Sequence, residues 1–433
     1  MLKKVLIITY YWPPSGGIGV HRCLKFAKYL NLYGWTPVIY TALNAHYSYL
    51  DDTNIKDVPK GITILKHKIT EPFSAFKFLS GRKKDDSSNP VYARDKKQSI
   101  TDKFAIWIRG NFFIPDARAL WINPSVKYLS KYLKENHVDA ILSDGPPHTN
   151  TAIACKLSKK FNIPWLADFQ DPWTQVDYYK LLKLTKWADK KHKKMEQQVF
   201  KVASKITIAS PSWKKDIESI GAKNVDVIYW GYDEDDFINR KVEPSDKFVI
   251  SHAGLLGFDR LPDVFFKVLH DLKNEIDSFS NNLSICLAGN IDYSVVDCIK
   301  DNKLLENTTL YGNVNREKAL DLTVNSNVLL LPLNKADNAM GRIPGKLFEY
   351  IASRKSILCL GPNNGDVYKI ITPLNCGQSF EYNDYNGIKK FIGKQFSEYS
   401  MKINNIKNTN LEEYSVKNQT KKIAEYLSEI IKK

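Results

Sequence analysis

Residues 341–362 read GRIPGKLFEYIASRKSILCLGP, a turn rich in glycine and proline followed by a helical pattern and an apolar run of strand length. Pro344 and Gly345 favour the start of a helix, where the first backbone N–H groups have no partner within the helix and can bind a phosphate. Lys346 and Glu349 are three positions apart, so they share one helix face. Such a pair could hold a diphosphate and a ribose diol, or it could be a surface ion pair without a ligand.

Other apolar runs of strand length alternate with helical patterns along the chain. This alternation predicts an α/β protein with parallel sheets in both halves. A chain of 433 residues exceeds the ~250–300 residues at which single cores stop growing, so two domains are expected. We interpret the first apolar run as a buried strand rather than a leader peptide, because prolines follow where a cleavage site would stand. The predicted strands lie at residues 5–9, 36–40, 140–143, 165–167, 205–208, 226–229, 248–251, 283–288, 328–331 and 357–359.

Four further segments have glycine, proline or polar residues where a predicted strand ends. They are ITYYWPPSGGIGVHRCLKFAKYL at residues 8–30, SDGPPHTNTAIACKLSKKFNIPWLADFQDPW at 143–173, VIYWGYDEDDF at 227–237 and ISHAGLLGFDRLPDVFFKVL at 250–269. Together with residues 341–362 they resemble, in the same order, the motifs of family-4 type retaining nucleotide-sugar glycosyltransferases of the GT-B fold, of the surface-polysaccharide biosynthesis type. The resemblance covers nearly the whole chain.

The resemblance implies an α/β GT-B fold, in which two Rossmann-like domains face each other across a cleft. The implied division is an N-terminal acceptor-side domain at residues 1–235, a linker at 236–247, a C-terminal nucleotide-sugar domain at 248–410, and a C-terminal helix at 411–433 that crosses back to the N-terminal domain.

The resemblance also implies a donor site in the C-terminal domain. Arg260 and Lys346 would bind the diphosphate and Glu349 the ribose, with the backbone of Gly254 and Gly345 close to the donor. An arginine can donate two parallel hydrogen bonds to a phosphate, which suits this role.

Two positions depart from the pattern of the family. The family commonly has an arginine directly after the glycine that corresponds to Gly254, where this chain has Leu255. The family also has a pair of glutamates eight apart, and the position eight before Glu349 is Gly341. Backbone amides of residues 341–345 or the carboxylate of Asp337 would have to replace the missing contact. These departures leave open a protein that binds a nucleotide or a glycan without catalysis.

The N-terminal half contributes residues beyond the ends of its first, third and fourth predicted strands. Gly16, Gly17 and Gly19 open a helix after the first strand, and the resemblance places this loop against the sugar or the acceptor. His148 is implied to lie against the transferring sugar as the catalytic residue, and Asp171 to contact the acceptor. The alternatives are a tight turn without a ligand, a structural histidine and a helix-capping aspartate.

Composition restricts the partners. A net charge of +16 and a pI near 9.2 favour an anionic partner. The six cysteines are scattered without the spacing of a zinc site, so we expect free thiols in a reducing compartment. No apolar run approaches the ~18–20 residues of a membrane-spanning helix. We therefore expect a cytoplasmic protein, at most peripheral on the inner face of the cell membrane. No nucleic-acid recognition motif accompanies the positive charge.

Two segments are candidates for binding an anionic membrane surface. Residues 178–201 place leucines and a tryptophan among many lysines, and residues 103–115 combine aromatic side chains with basic ones. The alternative for the first is a solvated basic helix whose leucines face the core.

The expected function is transfer of a sugar, with retention, from a nucleotide diphosphate-sugar to a glycan or lipid-linked acceptor. No cofactor and no metal ion are expected. The acidic string at residues 233–235 could hold a metal and a nucleotide, but we expect it to be exposed and solvated. A nucleotide-sugar epimerase of the same fold is the main alternative.

Overall fold

The computed structural model describes residues 2–71, 100–243, 245–403 and 410–432. The chain forms two compact units, Met1–Tyr229 with Lys417–Lys433, and Trp230–Val416. Residues 230–235 thus belong to the second unit, and the domain boundaries expected at 235, 247 and 410 stay predictions.

The described strands and helices alternate, as the sequence predicted. The strands are β1 Lys3–Ile8, β2 Trp35–Ala42, β3 Thr63–His67, β4 Ala140–Gly145, β5 Trp165–Phe169, β6 Lys205–Ile208, β7 Val225–Val227, β8 Phe248–Ala253, β9 Leu283–Ala288, β10 Thr308–Gly312, β11 Val328–Pro332, β12 Ser356–Leu360 and β13 Gly377–Phe380. The helices are α1 Ile18–Leu30, α2 Ile100–Phe112, α3 Ile122–Glu135, α4 His148–Phe161, α5 Lys186–Val202, α6 Pro211–Ser219, α7 Asp263–Glu275, α8 Asp277–Asn282, α9 Tyr293–Asp301, α10 Arg316–Val324, α11 Lys346–Ala352, α12 Asp366–Ile371, α13 Tyr385–Ser400 and α14 Val416–Ile430.

The first unit is built on a seven-stranded parallel sheet in the order β3-β2-β1-β4-β5-β6-β7. Alternate residues of β1 enter two different cores, because successive side chains of a strand point to opposite faces. Val5 and Ile7 pack with residues of α1 and α14, whereas Leu6 and Ile8 pack with residues of α4. The sheet is therefore covered on both faces, as parallel sheets require.

The second unit has a six-stranded parallel sheet in the order β10-β9-β8-β11-β12-β13. Phe248 and Ile250 of β8 are buried against Phe265 and Leu269 of α7, with α13 adding Ile392 to the same cluster. Full burial of each such side chain stabilises the fold by roughly 1.5–3 kcal/mol.

Three strands were missed by the sequence analysis, namely β3, β10 and β13. Each is the last strand at one edge of its sheet. Their burial is correspondingly low, and β10 is exposed over most of its length. A half-exposed edge strand lacks the continuous apolar run by which buried parallel strands are recognised.

All six cysteines are free thiols. In the described part of the chain, no helix combines the length and the apolar character needed to cross a membrane.

Candidate functional site

Each sheet reverses its strand order at one point, and the candidate residues lie there. The reversal is between β1 and β4 in the first sheet and between β8 and β11 in the second. Open parallel sheets bind ligands beyond the carboxyl ends of the strands at such a switch point. The glycine loop follows β1 and His148 follows β4, whereas Gly254 follows β8.

In the second unit, the loop after β8 receives the side chain of Lys346. Gly254 has a φ of 126°, and a Cβ at this position would lie 2.5 Å from Lys346 Nζ. Only glycine therefore combines this backbone conformation with this approach. The hydroxyl of Tyr350 accepts a hydrogen bond from the backbone N–H of Ala253 at 3.2 Å, which ties α11 to the end of β8.

Lys346 is held beside a neutral imidazole rather than a carboxylate. Both ring nitrogens of His252 face a carbonyl, Nδ1 that of Leu330 at 2.9 Å and Nε2 that of Leu255 at 3.3 Å, but a neutral ring has only one N–H to donate. The shorter contact favours the N–H at Nδ1, which leaves Nε2 to accept from Lys346 Nζ at 3.4 Å. Burial, and next the positive charge of Lys346, keep the pKa of His252 well below its ordinary value.

The surroundings of Lys346 disfavour its charged form. Burial, together with the positive charge of Arg260, lowers the pKa of Lys346 to about 7, and the carboxylate of Glu349 opposes this shift. A bound anion would favour the charged form, so this ammonium group can take up a proton when an anion binds.

Arg260 lies in the same loop and is partly neutralised by its neighbour. Its guanidinium donates to both carboxylate oxygens of Asp259, at 2.8 Å and 3.3 Å. The nearby positive charge that lowers the pKa of Lys346 therefore comes from an arginine that already has an acidic partner.

Glu349 takes part in a three-residue charge cluster that the sequence did not indicate. Arg316 Nη1 donates to Glu349 Oε1 at 2.5 Å, and Arg316 Nη2 donates to Asp236 Oδ2 at 2.7 Å. These two carboxylates raise the pKa of Arg316 despite its burial. Among the described residues, no hydrogen-bond partner is found for Glu349 Oε2, so one oxygen of an oriented carboxylate remains for a ligand.

The start of α11 differs from the expectation in one respect. Gly345 adopts helical torsion angles and directly precedes Lys346, so the predicted helix start is confirmed. The N–H of Leu347 donates to Pro344 at 2.9 Å and the N–H of Phe348 donates to Gly345 at 3.2 Å. These two N–H groups already have partners, so charged side chains must supply more of any phosphate contact than we expected.

In the first unit, the glycine loop packs against tyrosine rings. Gly17 has a φ of 76° and precedes α1. A Cβ at Gly16 would overlap the ring of Tyr49, and one at Gly19 would lie 2.9 Å from the ring of Tyr11. The loop therefore lies against aromatic surfaces, which suit contact with a sugar or an acceptor as well as close packing.

His148 is the first residue of α4 and is buried. Its ring stacks on Trp173, with centroids 4.5 Å apart and an angle of 4° between the planes. Burial, with a smaller effect of His192, lowers the pKa of His148 to about 3, so the imidazole is neutral. Its Nδ1 has no hydrogen-bond partner among the described residues. Asp171 lies just beyond β5, half-buried.

The first unit contains a buried ion pair that was not predicted from the sequence. Arg22 of α1 donates to both carboxylate oxygens of Asp168, at 2.5 Å and 2.7 Å, and Asp168 also accepts from Thr207 at 2.7 Å. Arg22 donates in addition to the carbonyl of Ile228 at 2.9 Å. The arginine within the residues 8–30 motif was the available signal, but its partner is 146 positions away.

The acidic string at residues 233–235 is not simply solvated. Asp233 is buried. Its carboxylate accepts a hydrogen bond from the backbone N–H of Asp235 at 3.2 Å and caps a short 3-10 helix, Glu234–Asp236. The expectation of exposure is therefore wrong for Asp233. Within the described residues, no three His, Cys, Asp or Glu side chains are grouped as metal ligands.

Comparison with solved structures gives the fold. A sucrose-phosphate synthase from Thermosynechococcus elongatus aligns over 99% of this chain and 96% of its own, with a TM-score of 0.57 and 11% identity. The chain has the GT-B fold. The HepE protein of Anabaena, in a complex with UDP-glucose, aligns over 99% and 97%, with a TM-score of 0.56 and 11% identity. A Listeria monocytogenes protein described as a UDP-N-acetylglucosamine 2-epimerase aligns over 98% and 95%, with a TM-score of 0.55 and 10% identity.

At this level of identity the GT-B likeness establishes the fold and not the reaction. No protein-family model matches the chain, and no curated protein sequence matches it.

Proposed function

We propose that the protein is a retaining glycosyltransferase that moves a sugar from a nucleotide diphosphate-sugar to a glycan or lipid-linked acceptor in polysaccharide biosynthesis. One observation carries the proposal. The ammonium group of Lys346 lies against Gly254 at the switch point of the second sheet, on the same helix as the oriented carboxylate of Glu349. GT-B structures similar to this chain include one in a complex with UDP-glucose.

The donor's diphosphate would bind to Lys346 and Arg260. Leu255 stands where the resembled family commonly has an arginine, and the ammonium group of Lys346 brings a positive charge to the backbone one residue earlier, at Gly254. Arg260 would also donate hydrogen bonds to the diphosphate, in place of some that it now donates to Asp259.

The ribose diol would donate to Glu349. Arg316 fixes the orientation of this carboxylate, because the guanidinium is bound to Asp236 at its other end. A carboxylate held in this way accepts hydrogen bonds without first having to lose rotational freedom.

In the reaction, the bond between the anomeric carbon and the leaving phosphate oxygen breaks. A bond from the acceptor oxygen to the same carbon forms on the same face, and the acceptor's proton passes to the leaving phosphate. The protein contributes position and charge stabilisation. Lys346 and Arg260 stabilise the charge that develops on the phosphate.

On the acceptor side, we assign the neutral ring of His148 to the transferring sugar. A neutral imidazole has one donor and one acceptor nitrogen, which suits hydrogen bonds to sugar hydroxyl groups. The glycine loop at Gly16, Gly17 and Gly19, together with Asp171, would contact the acceptor. We place the activity in the cytoplasm, where free thiols persist.

An epimerase is the second candidate, favoured by the similarity to the Listeria structure. The two reactions differ in their need for an acceptor. An epimerase changes the nucleotide sugar in the absence of any second substrate, whereas a transferase requires one or slowly hydrolyses the donor.

The test is a panel of nucleotide sugars measured by thermal unfolding, followed by NMR of each binder with the protein. A ligand at 100 times its Kd stabilises the fold by about 2.7 kcal/mol, which a thermal shift detects. We expect one nucleotide sugar to stabilise the protein and to release its nucleoside diphosphate. Isomerisation without release would establish the epimerase, and binding without turnover in the presence of candidate acceptors would establish a binding protein.

A further inference from the structure

Helix α2 presents apolar side chains where a surface helix normally presents polar ones. Phe104, Ile108 and Phe112 follow one another at every fourth position, so they lie along one helix face. Phe104 is 58% exposed and Phe112 is 66% exposed. Trp107 extends this stripe, since its ring stacks on Phe104 and meets Phe112 edge-on. A contiguous aromatic surface of this kind is a mark of an interaction site.

Helix α5 buries one face and presents lysines on the other. Its buried side chains include Ala188 and His192, one turn apart. On the opposite side, Trp187, Lys191 and Lys194 follow one another at intervals of four and three residues, and all three are exposed. Trp187 is 61% exposed and lies under the ammonium group of Lys191, 4.9 Å from its ring centroid. The helix therefore combines one large aromatic ring with a row of cations.

The two helices are joined into one region. The amide side chain of Asn111, on α2, donates to the carbonyl of Lys183 at 3.4 Å and accepts from the N–H of Thr185 at 2.6 Å. The leucines of the connecting segment divide between two environments. Leu182 and Leu184 lie close to Gly110 of α2, whereas Leu181 is 46% exposed. The structure thus brings together the two segments that the sequence analysis selected separately.

We propose that this region docks on an anionic lipid bilayer. The aromatic–lysine surface comprises exposed side chains of both helices and of the segment between them, namely Phe104, Phe112, Leu181, Trp187, Lys190, Lys191 and Lys194. Aromatic rings and a leucine would enter the boundary between headgroups and acyl chains, and the lysines would meet anionic headgroups. The proposal does not depend on the reaction that the protein catalyses.

The chemistry favours a bilayer over a nucleic acid. Residues 178–201 contain eight lysines and no arginine. Lysine is a flexible point charge that suits a fluid layer of headgroups, whereas arginine predominates where phosphates are bound in a fixed geometry. An exposed leucine also has no role in stacking on bases. Of the acidic side chains on α5, Asp189 pairs with Lys193 at 2.8 Å and Glu196 is buried against Thr174, so the outer row keeps its positive charge.

The experiment is co-sedimentation of the full chain with vesicles of phosphatidylcholine alone or mixed with phosphatidylglycerol, at about 0.05 M and about 0.5 M NaCl, which moves the screening length severalfold. We expect binding to the anionic vesicles at low salt, and release at high salt. Equal binding to both vesicle types, or binding to neither, would overturn the proposal.

Two variants separate the charges from the aromatic side chains. A triple change of Lys190, Lys191 and Lys194 to Gln should weaken binding to anionic vesicles by about 100-fold at low salt. The matched control changes Lys127, Lys131 and Lys134 of α3 to Gln, which removes the same charge from exposed positions of the same unit. An equal loss in the control would mean that net charge alone matters and would overturn the assignment of this surface.

Trp187→Ser with Phe112→Ser should weaken binding to anionic vesicles at low salt. Bromine-labelled acyl chains should quench the tryptophan fluorescence of the wild type more than that of Trp187→Phe. Absence of quenching would exclude insertion. Retention on a single-stranded oligonucleotide that is lost in the Lys190/Lys191/Lys194 variant, without vesicle binding, would assign the surface to nucleic acid instead.

Discussion

The two sheet switch points differ in how their charges are arranged. In the first unit, Arg22 and Asp168 form a buried pair that satisfies both partners, and the nearby His148 is neutral. In the second unit, Lys346 is half-buried beside a neutral histidine and has a pKa of about 7. The charges of the Arg22–Asp168 pair are neutralised within the fold, whereas the ammonium group of Lys346 is only partly stabilised without a ligand.

This difference indicates a division of roles on two similar sheets. A closed ion pair fixes the geometry of a loop and contributes little attraction for an anion. A cation that lacks an acidic partner attracts a diphosphate and is stabilised by it. Similar folds therefore bind different ligand chemistries through a few charged side chains.

The largest expected effect is on stability, in the first unit. Arg22→Met would leave the buried Asp168 without its partner and should lower the free energy of unfolding by about 3–5 kcal/mol. Urea unfolding measures this change. Lys389→Met, which removes one partner of the exposed Lys389–Glu275 pair, is the control and should cause no measurable loss. Equal effects of the two changes would show that the Arg22–Asp168 pair contributes no more to the free energy of unfolding than an exposed pair.

The next effect is on donor affinity, in the second unit. Glu349→Ala should weaken binding of a nucleotide sugar by about 10- to 100-fold, since hydrogen bonds to a charged group contribute about 1.5–3 kcal/mol. Glu317→Ala is the matched control, because it removes a carboxylate of the same unit that is bound to another arginine, Arg240, and makes no proposed ligand contact. Calorimetric titration compares them. Unchanged affinity in Glu349→Ala would exclude this residue from the site.

A smaller effect should follow from Gly254→Ala. The new Cβ would lie 2.5 Å from Lys346 Nζ, so this flexible group must move away from the loop. We expect donor affinity to fall by about tenfold, of the order of one charge-assisted hydrogen bond. Gly312→Ala also places alanine at a positive φ, but with no atom within 4 Å of its Cβ. If both variants lose stability and neither loses affinity, Lys346 does not act from its observed position.

The smallest effect concerns His148. Its pKa of about 3 lies far below the working range, so the ring stays neutral from pH 5 upwards. We expect no step in the pH–rate profile that His148→Asn abolishes, and a smaller loss of donor affinity than in Gly254→Ala, because the asparagine amide also has a donor and an acceptor for sugar hydroxyl groups. A step near pH 6.5 that disappears with the substitution would show that the imidazole is charged during the reaction.

Much of the fold could be predicted from the sequence, and the reason is burial. Each of the ten predicted strands overlaps a strand of the structure, and nine of them are inner strands, which form continuous apolar runs. The tenth, β7, is an edge strand that the prediction overlaps in part. The three missed strands lie at sheet edges, where one side of the strand has no partner and exposure is tolerated. Their positions depend on the neighbouring strand rather than on their own residues.

The site was only partly predictable. The helix that bears Lys346 and Glu349 could be predicted from the sequence, because both residues belong to one local segment. Arg316 was not, since it is 33 positions from Glu349 and pairs with it only through the fold. The low pKa of Lys346 likewise arises from burial and from Arg260, which are properties of the packed structure. Local patterns thus identified candidate ligand contacts, and the fold determined their charges.

The most direct test is proton uptake when the second unit binds a nucleotide sugar. The diphosphate of a nucleotide sugar is esterified at both ends and does not titrate near pH 7, and His252 stays neutral because its pKa is far below the ordinary value. Binding should raise the pKa of Lys346 above about 7, so protons are taken up above that pH and the affinity falls, by up to tenfold per pH unit.

The measurement is calorimetric titration at about pH 6 and about pH 8.5, in two buffers of different ionisation enthalpy, which span the lowered pKa of Lys346. If Lys346 binds the diphosphate, proton uptake approaches one at the higher pH and is almost zero at the lower. Lys346→Arg should bind without uptake, and Lys346→Met should bind weakly at both. Wild-type binding without proton uptake, or undiminished binding by Lys346→Met, would contradict the assignment of Lys346 to the diphosphate.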